Sequence, residues 1–83
     1  MVVKDSRADY PLMKFRTWFS ARGYRYILDI AAPDEDIGRE IARFTMWEKV
    51  GPRVWLRKCI EIPDAELAAE GWQEGRLTVH KVK

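Results

Sequence analysis

The sequence is poor in cysteine and histidine, the residues that most often form cross-links and metal sites. Its only cysteine is Cys59 and its only histidine is His80. A disulfide within the chain needs two cysteines, and a cysteine-based zinc site needs several ligands at short spacing. The sequence therefore predicts a protein without a disulfide, a metal or another cofactor, suited to a reducing cytoplasm.

Long apolar runs are also absent. No uninterrupted run of apolar side chains is longer than four residues, whereas a membrane-spanning helix needs about 20. The first residues, MVVKDSRADYP, contain no apolar stretch of the length found in signal peptides. We therefore expect a cytoplasmic protein that has no membrane partner.

The chain also lacks the patterns that support catalysis or phosphate binding. Neither Gly-x-x-x-x-Gly-Lys nor Gly-x-Gly-x-x-Gly occurs. His80 has no obvious catalytic partner, and Cys59 is expected to be a buried structural thiol rather than a nucleophile. The acidic run over 34–36 fits a helix start, where capping and the helix dipole both favour carboxylates. The sequence thus predicts that the protein is not an enzyme.

The sequence does contain enough apolar material for one small core. Hydrophobic residues make up 47% of its 83 residues, and they include three Phe, three Tyr and four Trp. A chain of this length buries roughly 60% of its unfolded surface, which supports one domain and little more. Because Pro11 disfavours a helix before it, we predict a flexible N-terminal arm over 1–11 and a single domain over 12–83.

The periodicity of apolar side chains predicts six secondary-structure elements. Alternation is typical of strands, and helical spacing appears between Pro33 and the Gly51-Pro52 stop. The predicted elements are strands over 13–20, 24–30, 53–62 and 76–82, a main helix over 35–50 and a short helix over 65–70. The predicted fold class is therefore α+β: a small four-stranded, mainly antiparallel sheet in the order β-β-α-β-α-β, with one main helix packed on one face.

Alternation also assigns the strand residues to two faces of the sheet. The main helix is expected to pack on one face through Ile37, Ile41, Phe44 and either Met46 or Trp47. The strand residues expected beneath it are Phe15, Phe19, Tyr26, Leu28, Val54, Leu56, Ile60, Leu77 and Val79. A register error of one residue would exchange the two faces.

The opposite face is predicted to combine aromatic and basic side chains. The stretch from Leu12 to Ile30 has no acidic residue before Asp29, and Trp and Arg are enriched at binding hot spots. The predicted binding residues are Lys14, Arg16, Trp18, Arg22, Arg25, Trp55, Arg57 and His80. The alternative interpretation is a solvated sheet face that long amphipathic side chains cover.

Two functions are compatible with this face. The first is a small non-enzymatic interaction protein that binds and occludes a larger protein or nucleoprotein complex. Its size and character are similar to those of inhibitors of host defence systems encoded by phages and mobile elements. The alternative is a nucleic-acid-binding regulator that uses the same face. The net charge of only +2 favours the first. Both a monomer and a homodimer formed through an edge strand fit the sequence.

The last quarter of the chain resembles part of a known family. Ile62, Pro63, Gly71, Trp72 and Gly75 precede an alternating segment over 77–79. This pattern is similar to the strand, short helix, glycine turn and strand of the swapped-hairpin transition-state regulators and their antitoxin relatives, which are intertwined DNA-binding dimers. The resemblance covers residues 62–83, lacks the family's closing strand, and implies local structure rather than a DNA-binding arm.

Overall fold

The computed structural model of the protein describes residues 12–82, and it has the predicted α+β fold. The predicted arm over 1–11 lies outside these residues. The elements are β1 (Met13–Ala21), β2 (Tyr24–Ala32), α1 (Glu35–Lys49), β3 (Trp55–Glu61), a short 3-10 turn (Asp64–Glu66), α2 (Leu67–Glu70) and β4 (Leu77–Lys81). Neither α1 nor α2 has the length and apolar character required to cross a membrane.

The hairpin of β1 and β2 forms the centre of the sheet. Ala21 pairs with Tyr24, so the connecting turn consists of Arg22 and Gly23 alone. Gly23 has a φ of +78°, a conformation that a two-residue hairpin turn needs and that glycine adopts without strain. The strands β3 and β4 pair with the outer sides of this hairpin, giving the antiparallel order β3-β1-β2-β4.

The core lies between this sheet and α1. Phe15, Phe19 and Leu28 are almost completely buried, and Tyr26 is buried with them, as predicted. Thr17 is also fully buried, and its hydroxyl donates a hydrogen bond of 2.8 Å to the carbonyl oxygen of Leu28. A buried polar group is tolerated when it is hydrogen-bonded in this way. Three predicted core residues, Val54, Leu56 and Leu77, pack half-buried around this centre.

A β-bulge in β3 overturns the predicted faces of that strand beyond Arg57. Trp18 pairs with Lys58 and Phe19 with Leu56, so Arg57 is the extra residue. A bulge breaks the strict alternation of side chains. As a result, Cys59 packs against the core, whereas Ile60 pairs with Arg16 on the other face and is 37% exposed.

The predicted buried side of α1 is wrong except at Met46, one of the two alternatives for its fourth position. The helix begins where the Asp34 carboxylate accepts a hydrogen bond of 2.9 Å from the backbone of Ile37. Its buried residues are Gly38, Ala42 and Met46, while Ile37, Ile41, Phe44 and Trp47 are exposed.

The absence of a side chain at Gly38 explains this packing. A Cβ atom there would lie 3.1 Å from Ile30 Cδ1 and 3.2 Å from Phe15 Cδ2, closer than ordinary carbon contacts. The helix therefore approaches the sheet through its small residues. Its larger apolar side chains lie outside this contact.

Candidate functional site

The face of the sheet opposite α1, here called the outer face, is partly covered by the segment after β3. The indole nitrogen of Trp72 donates a hydrogen bond of 2.9 Å to the carbonyl oxygen of Phe15. The ammonium group of Lys14 lies 3.3 Å from a carboxylate oxygen of Asp64. These contacts hold the segment against the first half of β1. Lys14, a predicted binding residue, therefore takes part in a contact within the fold.

Arg16 is the centre of the contacts that fix this segment. Its Nε lies 2.8 Å from Asp29 Oδ1 and its Nη2 lies 3.2 Å from Asp29 Oδ2, a bidentate pair. Nη2 also donates to the carbonyl oxygen of Glu70 at 2.9 Å. The hydrogen bond to Asp29 is the main cause that raises the pKa of Arg16. Arg16 is thus a positively charged clamp between the sheet and α2.

Asp29 is the buried acceptor of this clamp. Its exposed fraction is 2%, and its Oδ2 also accepts a hydrogen bond of 3.1 Å from the backbone nitrogen of Gln73. The backbone of Asp29 exchanges further hydrogen bonds with Gly75 and Arg76. A buried carboxylate needs such partners to offset its desolvation. The pair therefore stabilises the fold and orders the chain between α2 and β4.

The uncovered half of the outer face contains the second group of predicted residues. Trp18, Ser20, Arg25, Arg57 and Lys58 line one shallow depression. We call Trp18, Arg25, Arg57 and Lys58 the cationic surface. Lys58 Nζ lies 5.1 Å from the centre of the Trp18 ring, within the range of a cation–π interaction. Arg57 Nε donates a hydrogen bond of 2.6 Å to the Ser20 hydroxyl.

The bulge in β3 creates this arrangement. Arg57 is its extra residue, and Lys58 pairs with Trp18, so both cations reach the face that holds Trp18. Among residues 12–82, none of Arg25, Arg57 and Lys58 forms an ion pair with a carboxylate. Within this part of the chain, no carboxylate neutralises their positive charges.

The remaining predicted residues occupy different places. His80 pairs with Arg25 and extends the cationic surface onto β4. Arg22 lies in the hairpin turn at the end of the sheet. Trp55, at the start of β3, pairs with Ser20, which places it on the outer face beside the cationic surface, and it also lines the edge of a groove beside α1. The sequence predicted one continuous surface, whereas in the structure Lys14 and Arg16 contact the segment after β3, and the other predicted strand residues lie in or beside the cationic surface.

The apolar groove and the exposed side of α1 were missed by the sequence prediction. The signal was the small pair Gly38 and Ala42, spaced by four residues on one side of the helix. Small residues at this spacing allow a helix to approach a sheet closely, and the larger apolar residues then lie elsewhere. The sequence prediction instead places the large apolar side chains of α1 against the core.

Cys59 has the environment of a structural thiol. Burial raises the pKa of the Cys59 thiol, the Glu35 carboxylate raises it further, and Arg39 lowers it. Since the thiolate is the reactive form, we expect iodoacetamide to alkylate Cys59 in the native protein at neutral pH at least about tenfold more slowly than in the urea-unfolded chain. Mass spectrometry of timed samples measures both rates. Equal rates, or faster native alkylation, would identify an activated thiol instead.

The described residues offer little for metal chemistry or recognition by homology. Within 12–82, no group of three or more His, Cys, Asp or Glu side chains is arranged to hold a metal ion. Comparison of the chain with protein-family models, curated proteins and solved structures finds no match. The local order implied by the regulator-like segment is present: a short helix, then Gly71 with a φ of +65°, then β4.

Proposed function

We propose that the protein is a non-enzymatic interaction domain that binds a larger, acidic protein or nucleoprotein complex through its cationic surface. The observation that carries the proposal is the position of Lys58 over the Trp18 ring, beside Arg25 and Arg57. A large aromatic side chain surrounded by cations is the composition typical of interface hot spots. Such a surface fits a partner that presents carboxylates together with an apolar side chain, which would enter the depression and contact the Trp18 ring.

A protein partner is favoured over nucleic acid by the small net charge of the chain. Sheet platforms that bind single strands stack successive bases on several aromatic rings. Trp55 pairs with Ser20 on the outer face, whereas Tyr24 pairs with Ala21 on the side of the sheet that packs under α1. Trp18 and Trp55 could take part in such stacking, but the chain has a net charge of only +2, whereas phosphate binding depends on a strong excess of cations. A nucleic-acid-binding regulator that uses the same surface remains the alternative function, and salt dependence distinguishes the two.

The proposed mode of action is occlusion. A domain that covers a functional surface of its partner needs affinity and shape, and it needs no catalytic group of its own. This mode fits the earlier analogy with small inhibitors of host defence systems encoded by phages and mobile elements. The target of such an inhibitor would be the acidic surface that Trp18 and its neighbouring cations contact.

Affinity capture from the native host tests the proposal. The bait proteins are the wild type, Trp18→Ala, Arg57→Glu and, as a matched control on the other side of the molecule, Trp47→Ala. We expect one protein to be captured by the wild type and by Trp47→Ala and to be lost with both outer-face variants. Circular dichroism checks that all four baits are folded. Capture that persists in both outer-face variants would refute the proposed surface.

Nuclease treatment and salt dependence distinguish a protein partner from a nucleic-acid partner. We expect capture to survive nuclease treatment, and we expect affinity for the purified partner to weaken only mildly with rising salt. A contact that neutralises six or more phosphates loses about a thousandfold or more between low and moderate salt. Loss of capture after nuclease treatment, with a salt dependence of that size, would favour the nucleic-acid-binding regulator.

A further inference from the structure

The exposed side of α1 carries an apolar stripe of four large side chains. The stripe consists of Ile37, Ile41, Phe44 and Trp47, and its two aromatic members are 60% and 58% exposed, respectively. Spacings of four, three and three residues keep these side chains on one side of a helix. That side is turned away from Gly38, Ala42 and Met46, which contact the sheet. The helix therefore has two apolar sides, and the fold covers only one of them.

The stripe continues into the groove beside β3. Phe44 and Trp47 line this groove with Val54, Trp55 and Leu56, around a volume of about 560 Å³. Contiguous exposed apolar surface on a small protein marks an interaction site. The stripe lies on the opposite side of the sheet from the cationic surface. It is therefore a second, separate surface that the proposed function does not use.

The charges along α1 favour a second copy of the same helix as the partner that covers the stripe. The acidic residues Asp34, Glu35, Asp36 and Glu40 lie in its first half, where the only basic residue is Arg39, whose Nη2 lies 2.7 Å from Glu35. Its second half and the following turn carry Arg43, Lys49 and Arg53 against Glu48. One end is thus acidic and the other basic. An antiparallel copy of the same helix would bring opposite charges and opposite helix dipole ends together.

We propose that the α1 stripe is the interface of a two-fold symmetric homodimer in which the two α1 helices pack antiparallel. A two-fold axis on the exposed side of α1, level with Ala42 along the helix, places Ile37 opposite Trp47 of the partner subunit. The same axis places Ile41 opposite Phe44 of the partner subunit. The same register places Glu40 beside Arg43 of the partner subunit. Each of these contacts occurs twice, as an isologous interface requires.

The edges of the sheet are poorer candidates for self-association. On β3, the bulge at Arg57 interrupts a regular ladder, and antiparallel pairing with a second β3 would bring Arg57 and Lys58 close to their own copies. Bulges and edge cations disfavour edge-to-edge pairing. The strand β4 has only five residues. Pairing through α1 also leaves the cationic surface of each subunit free to bind the partner.

Sedimentation equilibrium over the micromolar to near-millimolar range tests the dimer. We expect a reversible monomer–dimer equilibrium whose dissociation constant rises at least about tenfold in Phe44→Ala/Trp47→Ala, because large aromatic side chains dominate such interfaces. The control is Ile60→Lys on the outer face, which should dimerise like the wild type. A wild type that is monomeric throughout, or a dimer unaffected by the double substitution, would overturn the proposal.

A charge exchange tests the register directly. We expect Glu40→Arg and Arg43→Glu each to weaken the dimer, and we expect the double variant Glu40→Arg/Arg43→Glu to restore it, since the pair across the two-fold axis is then reversed. Thermal unfolding followed by circular dichroism at low concentration checks that the monomers remain folded. Failure of the double variant to recover would exclude this register. A failure of the dimer proposal can be told apart from a failure of the proposed function, because Trp18→Ala should remain dimeric while it loses the partner.

Discussion

Replacing Phe15 with alanine is expected to lower the free energy of unfolding by about 3–5 kcal/mol. Phe15 has no exposed surface, and its ring lies under Gly38, where the helix approaches the sheet most closely. The truncation removes a large apolar side chain at a place where neither the central strand nor the helix can move in to fill the cavity. Urea denaturation followed by circular dichroism measures the change.

The matched control is Phe44→Ala, which makes the same truncation on the exposed side of α1. At a concentration where the chain is monomeric, we expect it to change the free energy of unfolding by less than about 0.5 kcal/mol. The contrast between these two phenylalanines tests which side of the helix faces the sheet. Equal losses for Phe15→Ala and Phe44→Ala would contradict the packing through Gly38 and Ala42.

The second large effect is expected at the clamp. Arg16→Met should lower the free energy of unfolding by about 3 kcal/mol, because it leaves the buried carboxylate of Asp29 without its cation. The methionine keeps most of the apolar stem of arginine, so the loss reports mainly on the ion pair. Denaturant unfolding at neutral pH measures it.

A second substitution identifies the cause of this loss. In the Arg16→Met background, Asp29→Asn should recover at least about 1 kcal/mol, since the amide oxygen can still accept the hydrogen bond from Gln73 and no charge remains buried. A loss below about 1 kcal/mol for Arg16→Met alone would contradict the structural role of Arg16. It would return this cation to the binding surface predicted from the sequence.

The sequence was sufficient to predict the elements and the buried face of the central hairpin. Alternation over 13–20 and 24–30 around a glycine turn specifies a hairpin, and one large side chain in two is then buried, as Phe15, Phe19 and Leu28 are. The acidic run before α1 and the Gly51-Pro52 stop also mark the limits of that helix. These features are local, so they can be read without knowing the tertiary structure.

The features that sequence alone could not supply depend on contacts between distant segments. The bulge at Arg57 arises from pairing with β1, and nothing in the residues of β3 requires it. Arg16 meets Asp29 and Glu70 only because the chain after β3 crosses the outer face. The buried side of α1 depends on how closely Gly38 lets the helix approach Phe15 and Ile30, and the sizes of the side chains along the helix do not reveal this. Each of these three features changed the assignment of a predicted binding residue or a binding surface.

The four tryptophans allow partner binding through the cationic surface to be tested in one spectrum. Trp18 belongs to the cationic surface and Trp55 lies beside it, whereas Trp47 belongs to the α1 stripe and Trp72 is hydrogen-bonded to Phe15. Each indole N–H gives its own signal in an ¹⁵N–¹H correlation spectrum. We would titrate the captured partner into labelled protein at a constant concentration of that protein. Assignments would come from single tryptophan substitutions.

We expect the Trp18 indole signal to shift or broaden as the partner is added, while the Trp72 signal stays in place. Dilution without partner should instead move the Trp47 signal, because the dimer dissociates. A Trp18 signal that remains unchanged at saturating partner, with the shifts confined to Trp47, would contradict the claim that the protein binds its partner through the cationic surface.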